Sequence, residues 1–153
     1  MNDQLEVKRK LFSHCENYVN QKIKVAQEAI DNAQKSANKE TKSSSGDKYE
    51  TGRSMMQLEI EKYSAQLNEG LNLKKALCQT DFEKIYSMVQ TGSLVLTNHG
   101  NFFISIGVGK LTIGETDYMA ISFSSPIGQI LFKKKIDDEF NFRGKTYVIN
   151  SII

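Results

Sequence analysis

Asp47 and Glu50 are the residues of this sequence whose type and spacing most clearly allow chemistry, because they place two carboxylates three positions apart. An Asp at the start of a helix with a Glu three residues later can satisfy free N–H groups and suits the positive helix end. The same pair can instead direct two carboxylates at a ligand. The residues alone favour capping, because acidic residues are common in a first helical turn. The two interpretations are compatible.

Basic residues are frequent on both sides of this acidic pair, where Glu40 adds a third carboxylate. They are Lys35, Lys39, Lys42, Lys48 and Arg53. One interpretation is a positive patch that attracts RNA phosphate or an RNA 3′ end, and the other is an ordinary solvated helix face. Five bases against three acids make only a small field, so both interpretations stay open.

The cysteines and histidines predict neither a metal site nor a redox site. Cys15 and Cys78 are too far apart for a CxxC motif. His14 and His99 lack acidic or cysteine neighbours at the spacing of metal ligands. Both cysteines fall on apolar stripes of expected helices, so we expect them to be buried as small hydrophobic side chains.

The charge balance excludes a protein that holds nucleic acid mainly by neutralising phosphates. The 153 residues include 20 Lys plus Arg and 18 Asp plus Glu, which gives a formal net charge of +2. No apolar run approaches the ~20 residues that span a bilayer, and the first residues lack a signal-peptide pattern. We therefore expect a cytoplasmic, monomeric protein that does not associate with membranes.

The first half of the chain predicts two amphipathic helices, because apolar residues recur at steps of three and four. The first stripe is Leu11, Cys15, Tyr18, Val19, Ile23, Ala26, Ala29, Ile30, Ala33 and Ala37, and the second is Met56, Ile60, Tyr63, Leu67, Leu71 and Leu77. A Ser- and Gly-containing segment, 42–47, separates them. We predict an antiparallel helical hairpin over residues 1–80, with its tip near 42–50. Its first helix, from near Lys8 to Thr41, should be about 50 Å long.

The second half predicts a small β-rich domain over residues 84–153, since it holds most of the aromatic residues and glycines. Expected strands are 93–97, 101–106, 118–123, 139–142 and 146–152. Ser125 and Pro126 precede apolar residues at helical spacing, which predicts a short helix over an antiparallel sheet. The six phenylalanines of this half are expected mostly in the core, with either Phe102 or Phe103 on an outer face because strand residues alternate. They are Phe102, Phe103, Phe123, Phe132, Phe140 and Phe142. The expected fold class is α+β.

The order of these elements resembles the Gre transcript-cleavage factors of bacterial RNA polymerase. Residues 46–50, Gly-Asp-Lys-Tyr-Glu, are similar to the GDxxE tip of that family. Ser125-Pro126-Ile127-Gly128, followed by Leu131, Lys134-Lys135, 137–139 and the last strand, is similar to the family's C-terminal signature. The resemblance covers nearly the whole chain with its motifs in the family's order.

The resemblance implies a transcription elongation factor that is not itself a complete enzyme. The hairpin would enter the secondary channel of RNA polymerase, where Asp47 and Glu50 would help hold a second Mg²⁺ and stimulate cleavage of backtracked RNA at its 3′ end. The C-terminal domain, of the FKBP-like fold, would dock at the channel rim. Expected contacts with RNA or polymerase are Lys42, Lys48, Arg53, Ser125, Pro126, Lys134 and Lys135.

The tip departs from the family after Glu50, where Thr51-Gly52-Arg53-Ser54 replaces the usual Asn and the acidic and aromatic pair. Gly52 costs about 1 kcal/mol relative to Ala inside a helix, so the second helix is expected to begin loosely. One alternative is therefore a Gre-like regulator or inhibitor without cleavage activity. Two others are a peptidyl-prolyl isomerase, for which the chain lacks the Trp common in such pockets, and an adaptor whose hairpin binds another groove.

Overall fold

The computed structural model describes residues 2–40 and 46–153. Contacts divide the chain into two compact units. The hairpin unit is Tyr18–Lys75, and the sheet unit combines Met1–Asn17 with Ala76–Ile153. This division assigns both ends of the helical region to the sheet unit, whereas the sequence predicted bounds of 1–80 and 84–153. Those domain bounds stay a prediction.

Two long helices supply the hairpin unit. Helix α1 is Asn2–Glu40 and helix α2 is Gly46–Cys78. Val19, Ala26, Ile30 and Ala33 are buried at helical spacing along α1. Lys22 Nζ lies 3.1 Å from Glu69 Oε1, a surface ion pair between the two helices. No helix in the described ranges carries an apolar stretch that could cross a membrane.

The helices approach closely at Gly70. A Cβ added to Gly70 would lie 2.9 Å from Ile23 Cγ1, so a glycine leaves the space that the Ile23 side chain occupies. Leu71, the next residue, is 46% exposed although the sequence predicted it on the buried stripe. The reason is geometric, because neighbouring helix residues are turned by about 100°. The inward position belongs to Gly70, a residue that periodicity of apolar side chains does not select.

Two other stripe predictions are wrong. Tyr18 is 42% exposed and Cys78 is exposed, whereas Cys15 is fully buried as expected. Helix α1 also begins before Lys8, at Asn2. The burial of Lys8, Leu11 and Cys15 within the sheet unit explains this early start, because packing stabilises helical turns beyond their intrinsic propensity.

The sheet unit contains one six-stranded sheet and a short helix. The strands are β1 Leu94–Thr97, β2 Gly100–Ile104, β3 Gly109–Ile113, β4 Thr116–Ile121, β5 Glu139–Phe142 and β6 Lys145–Ile152, and α3 is Pro126–Leu131. The strand order is β3-β4-β2-β1-β6-β5. All neighbours are antiparallel except β2 and β4, which are parallel. The α+β prediction is confirmed.

Strand β3 was absent from the sequence prediction. It pairs with β4 across a tight turn at Gly114, whose φ of +63° lies in the left-handed region that glycine adopts without strain. Because β3 occupies the sheet edge beyond β4, β4 returns beside β2 in the same direction. Without β3, the sequence predicted an antiparallel sheet, whereas β2 and β4 are parallel.

Both faces of β2 are covered. Phe102 belongs to the core that Ile127 and Leu131 of α3 join. Phe103, which alternation directs to the opposite face, has its ring centroid 5.4 Å from that of Phe82. Phe102 and Phe103 are thus 6% and 0% exposed, and the prediction that one of them faces outward is wrong. Phe12 of α1 extends the second cluster, with its ring 4.5 Å from Phe82.

Candidate functional site

The predicted acidic pair lies where the second helix of the hairpin begins. Because α2 starts at Gly46, the backbone of Asp47, Lys48 and Glu50 belongs to its first two turns. A helix N-terminus carries partial positive charge and stabilises nearby carboxylates. The side chains of these three residues, and Lys42 as a whole, lie outside the part of the chain that the structure describes. Arg53, one turn further along α2, is exposed.

Ser125 and Pro126 form the start of α3. Ser125 is the N-cap, and its Oγ accepts a hydrogen bond from the Gly128 N–H at 3.1 Å. The same hydroxyl donates to the Ser122 carbonyl at 2.7 Å, so both of its functions are used inside the fold. Pro126 occupies the first helical turn, where its missing N–H costs nothing. Its ring is exposed and remains accessible to a partner.

The fourth position of the Ser-Pro-x-Gly segment, Gly128, has no room for a side chain. A Cβ at Gly128 would collide with the Ser122 carbonyl oxygen and crowd Ser125 Oγ. The segment is therefore a tight cap in which the serine, proline and glycine each satisfy a local steric or hydrogen-bonding requirement. It positions α3, and through Ile127 and Leu131 it anchors α3 in the core.

Lys134 and Lys135 lie in the loop that follows α3. The Lys134 carbonyl accepts a hydrogen bond from the Val89 N–H at 2.8 Å, and the Lys135 N–H donates to Asp138 Oδ2 at 2.8 Å. Lys134 is half-buried and Lys135 is exposed. The loop backbone is thus fixed, while the Lys135 side chain is accessible to solvent. Ser125 precedes the six-residue α3, Pro126 begins it, and Lys134 and Lys135 follow it, all within the sheet unit.

Phe132 differs from its predicted place in the core. It closes α3 and is 47% exposed, with its ring 4.7 Å from Phe123 in an edge-on arrangement. Lys133 Nζ lies 5.2 Å from the Phe132 ring centroid, within the range of a cation–π contact. The aromatic surface at this end of α3 therefore carries a positive charge.

Lys8 is a buried charge that sequence reasoning missed. It is 0% exposed, and its Nζ donates to the carbonyl oxygens of Lys84 at 2.8 Å and Ile153 at 3.2 Å. The Tyr86 ring centroid lies 5.1 Å from Nζ. Burial lowers the pKa of Lys8 to about 8, against the opposing attraction of Asp81 and Glu83. A lysine one helical turn before Leu11 and two turns before Cys15, in register with the apolar stripe, was the available signal.

Among the side chains that the structure describes, no three of His, Cys, Asp or Glu lie close enough together to hold a metal ion. Comparison with protein-family models, with curated proteins and with solved structures found no match to this chain.

Proposed function

We propose that this chain is a Gre-type factor that binds in the secondary channel of bacterial RNA polymerase and stimulates cleavage of backtracked RNA. The observation that carries the proposal is the position of the Gly-Asp-x-x-Glu segment at the first residues of α2, the second helix of the hairpin unit. The sequence thus places two carboxylates where this helix begins.

A two-helix hairpin suits entry into a narrow channel. From Tyr18 to Glu40, α1 contributes 23 residues to the hairpin unit, or about 35 Å at 1.5 Å per residue. Small buried residues, Ala26, Ala33 and Gly70, keep the helices close together. The hairpin unit is therefore long and slender along its described helices.

The donor set of the acidic pair fits Mg²⁺, which prefers oxygen ligands and often takes only one or two carboxylates while it keeps waters. When bound, Mg²⁺ supplies Lewis acidity for phosphodiester hydrolysis. Asp47 and Glu50 would hold the ion against ligands of the polymerase, so the chain completes a site without possessing one. This division of ligands agrees with the proposal that the factor is no enzyme by itself.

The sheet unit supplies candidates for docking at the polymerase rim. Pro126, the first residue of α3, and Lys135, in the loop after α3, are exposed and available for direct contact. Ser125 acts through its cap on α3, because both hydrogen-bonding functions of its hydroxyl are satisfied internally. Lys42, Lys48 and Arg53 remain the proposed basic contacts of the hairpin end.

The isomerase alternative receives less support. The space between α3 and the sheet is occupied by Ile127 and Leu131 packed with Phe102 and Tyr147. A substrate proline would have to displace those side chains. The non-cleaving regulator remains the second candidate, because Gly52 lies within the first turns of α2 and reduces helix stability there.

The test is transcription with bacterial RNA polymerase halted in a backtracked state. Addition of the protein should shorten the RNA and release short 3′ fragments. The double variant Asp47→Asn, Glu50→Gln should bind polymerase with unchanged affinity but release no fragments. Glu61→Gln, an exposed carboxamide substitution elsewhere on α2, should cleave like the wild type.

Three results are decisive. Cleavage by the double variant at the wild-type rate would refute the role of the carboxylates. Slower RNA synthesis without released fragments would identify the non-cleaving regulator. Failure of the wild type to bind polymerase would refute the proposed function altogether.

A further inference from the structure

An open cleft of about 360 Å³ lies in the sheet unit between α1 and the β3–β4 turn. Helix α1 contributes most of its lining and the turn contributes the rest. The lining residues are Arg9, Lys10, Ser13, His14, Asn17, Thr112, Ile113 and Gly114. The volume falls within the range of small-molecule sites. Its lining includes no residue of α3 and none of the proposed polymerase or RNA contacts, and the proposed function does not use it.

The lining is rich in hydrogen-bond donors and contains no carboxylate. Lys10, His14 and Asn17 recur at helical spacing on α1, so they share one face, and Ser13 lies beside them. They can offer an ammonium, an imidazole N–H, an amide NH₂ and a hydroxyl to one oxygen-rich group. All four residues are exposed and make no ion pair with another described residue.

Arg9 is held in a fixed orientation. Its Nε lies 2.9 and 3.2 Å from the two Glu83 carboxylate oxygens, and Nη2 lies 2.8 Å from Oε2. Glu83 raises the pKa of Arg9 further, so the guanidinium stays charged. These bonds use two of five N–H groups and leave three for another acceptor. A guanidinium already oriented by one partner loses less conformational entropy when it binds a second.

We propose that this cleft binds the phosphate group of a small phosphorylated ligand. A phosphate presents several acceptor oxygens and two negative charges, which match the fork of Arg9, the ammonium of Lys10 and the hydroxyl of Ser13. The remaining volume accommodates a sugar-sized group against Ile113 and Gly114.

Carboxylates around the cleft favour a small ligand over an extended nucleic acid. Glu83 lies on Arg9, Glu6 lies close enough to influence Arg9, and Glu115 follows Gly114 in the turn. Asp117 is charged as well, because the hydroxyl of Thr112 and the ammonium of Lys110 hold its pKa below the usual range. A long polyanion would meet more of this negative border than a single phosphate would.

The test titrates the full-length ¹⁵N-labelled protein with inorganic phosphate, with adenosine monophosphate and with a single-stranded oligonucleotide, at constant ionic strength. We expect saturable amide shifts at Lys10, Ser13, His14 and Thr112 to Gly114 with both small probes. Lys10→Gln should weaken adenosine monophosphate binding about fivefold, the effect of losing one solvent-exposed charge contact. Lys24→Gln, an exposed lysine of α1 outside the cleft, is the matched control.

Arg9→Lys provides a second variant that keeps the charge but removes the fork, and it should also weaken binding. Shifts that do not saturate, or that spread over all lysines, would overturn the proposal. An equal loss in Lys10→Gln and Lys24→Gln would show attraction by bulk charge and overturn it too. Tighter binding of the oligonucleotide through the same residues would replace the small ligand with nucleic acid. None of these results depends on polymerase.

Discussion

Raising the pH from 7 to 9.5 is expected to stabilise the sheet unit through Lys8. This lysine is fully buried, and loss of hydration lowers its pKa from 10.5 to about 8. Its bonds to the carbonyls of Lys84 and Ile153, and the attraction of Asp81 and Glu83, offset only part of that cost. The charged form of Lys8 is therefore less stable in the folded protein than in water.

The sign follows from proton uptake. Below pH 8 Lys8 is protonated in both states, and between pH 8 and 10.5 the unfolded chain binds more protons than the folded one. Stability therefore rises with pH across this window. A shift of 2.5 pKa units, from 10.5 to about 8, corresponds to about 3 kcal/mol in total, of which about 2 kcal/mol is recovered by pH 9.5.

The assay is urea unfolding at several pH values, followed through methyl NMR signals of the sheet core so that the hairpin unit does not contribute. The wild type and Lys8→Met share all their other titrating groups, so the difference between their free energies of unfolding isolates the contribution of Lys8. That difference should shift by about 2 kcal/mol in favour of the wild type between pH 7 and 9.5. Lys10→Met, at an exposed lysine of the same helix, should show no such shift. A difference for Lys8→Met that is constant to within about 0.5 kcal/mol would refute the reasoning.

Gly128→Ala should lower the free energy of unfolding by at least about 3 kcal/mol, since its Cβ meets a backbone carbonyl that cannot move aside. Gly107→Ala, with open space around it, should stay within about 1 kcal/mol of the wild type. Thermal unfolding measures both variants, and equal effects would contradict the steric argument. Gly70→Ala should separate the hairpin helices and lower the free energy of unfolding by about 1–3 kcal/mol. The helical circular dichroism signal should then be lost at a lower temperature. A variant as stable as the wild type would mean that the helices move apart freely. Cys78 is exposed and should react with a thiol reagent in the native protein, while Cys15, whose pKa burial raises to about 12, should react only on unfolding; simultaneous modification of both would disprove the burial of Cys15.

Periodicity identified the helices and most strands, because these depend on local alternation of apolar and polar residues. It failed at particular residues for identifiable reasons. Leu71 was assigned inward because it is apolar, yet the contact at the helix seam is made by Gly70 through its lack of a side chain. Strand β3 was missed because only two apolar side chains, Leu111 and Ile113, mark it, and neither is fully buried at the sheet edge.

The candidate sites divide in the same way. The acidic pair, Asp47 and Glu50, could be proposed from sequence because its spacing and its position near the start of an expected helix are local properties. Ser125 was also recognised from sequence, but only the hydrogen bonds of its hydroxyl assign it to the helix cap. The cleft beside Arg9 could not be anticipated, because part of its lining comes from a turn about a hundred residues later in the chain.

The sequence by itself determined the α+β class, the order of the helices and of every strand except β3, and the carboxylates where α2 begins, since each depends on residues adjacent along the chain. Only the tertiary structure decided which face of each helix is inward, which strands neighbour each other, and that Lys8 is buried beside carbonyls from residues 84 and 153. The physical reason is that burial, charge desolvation and cleft formation depend on distances through space. Local patterns constrain those distances only when the packing partner is already known.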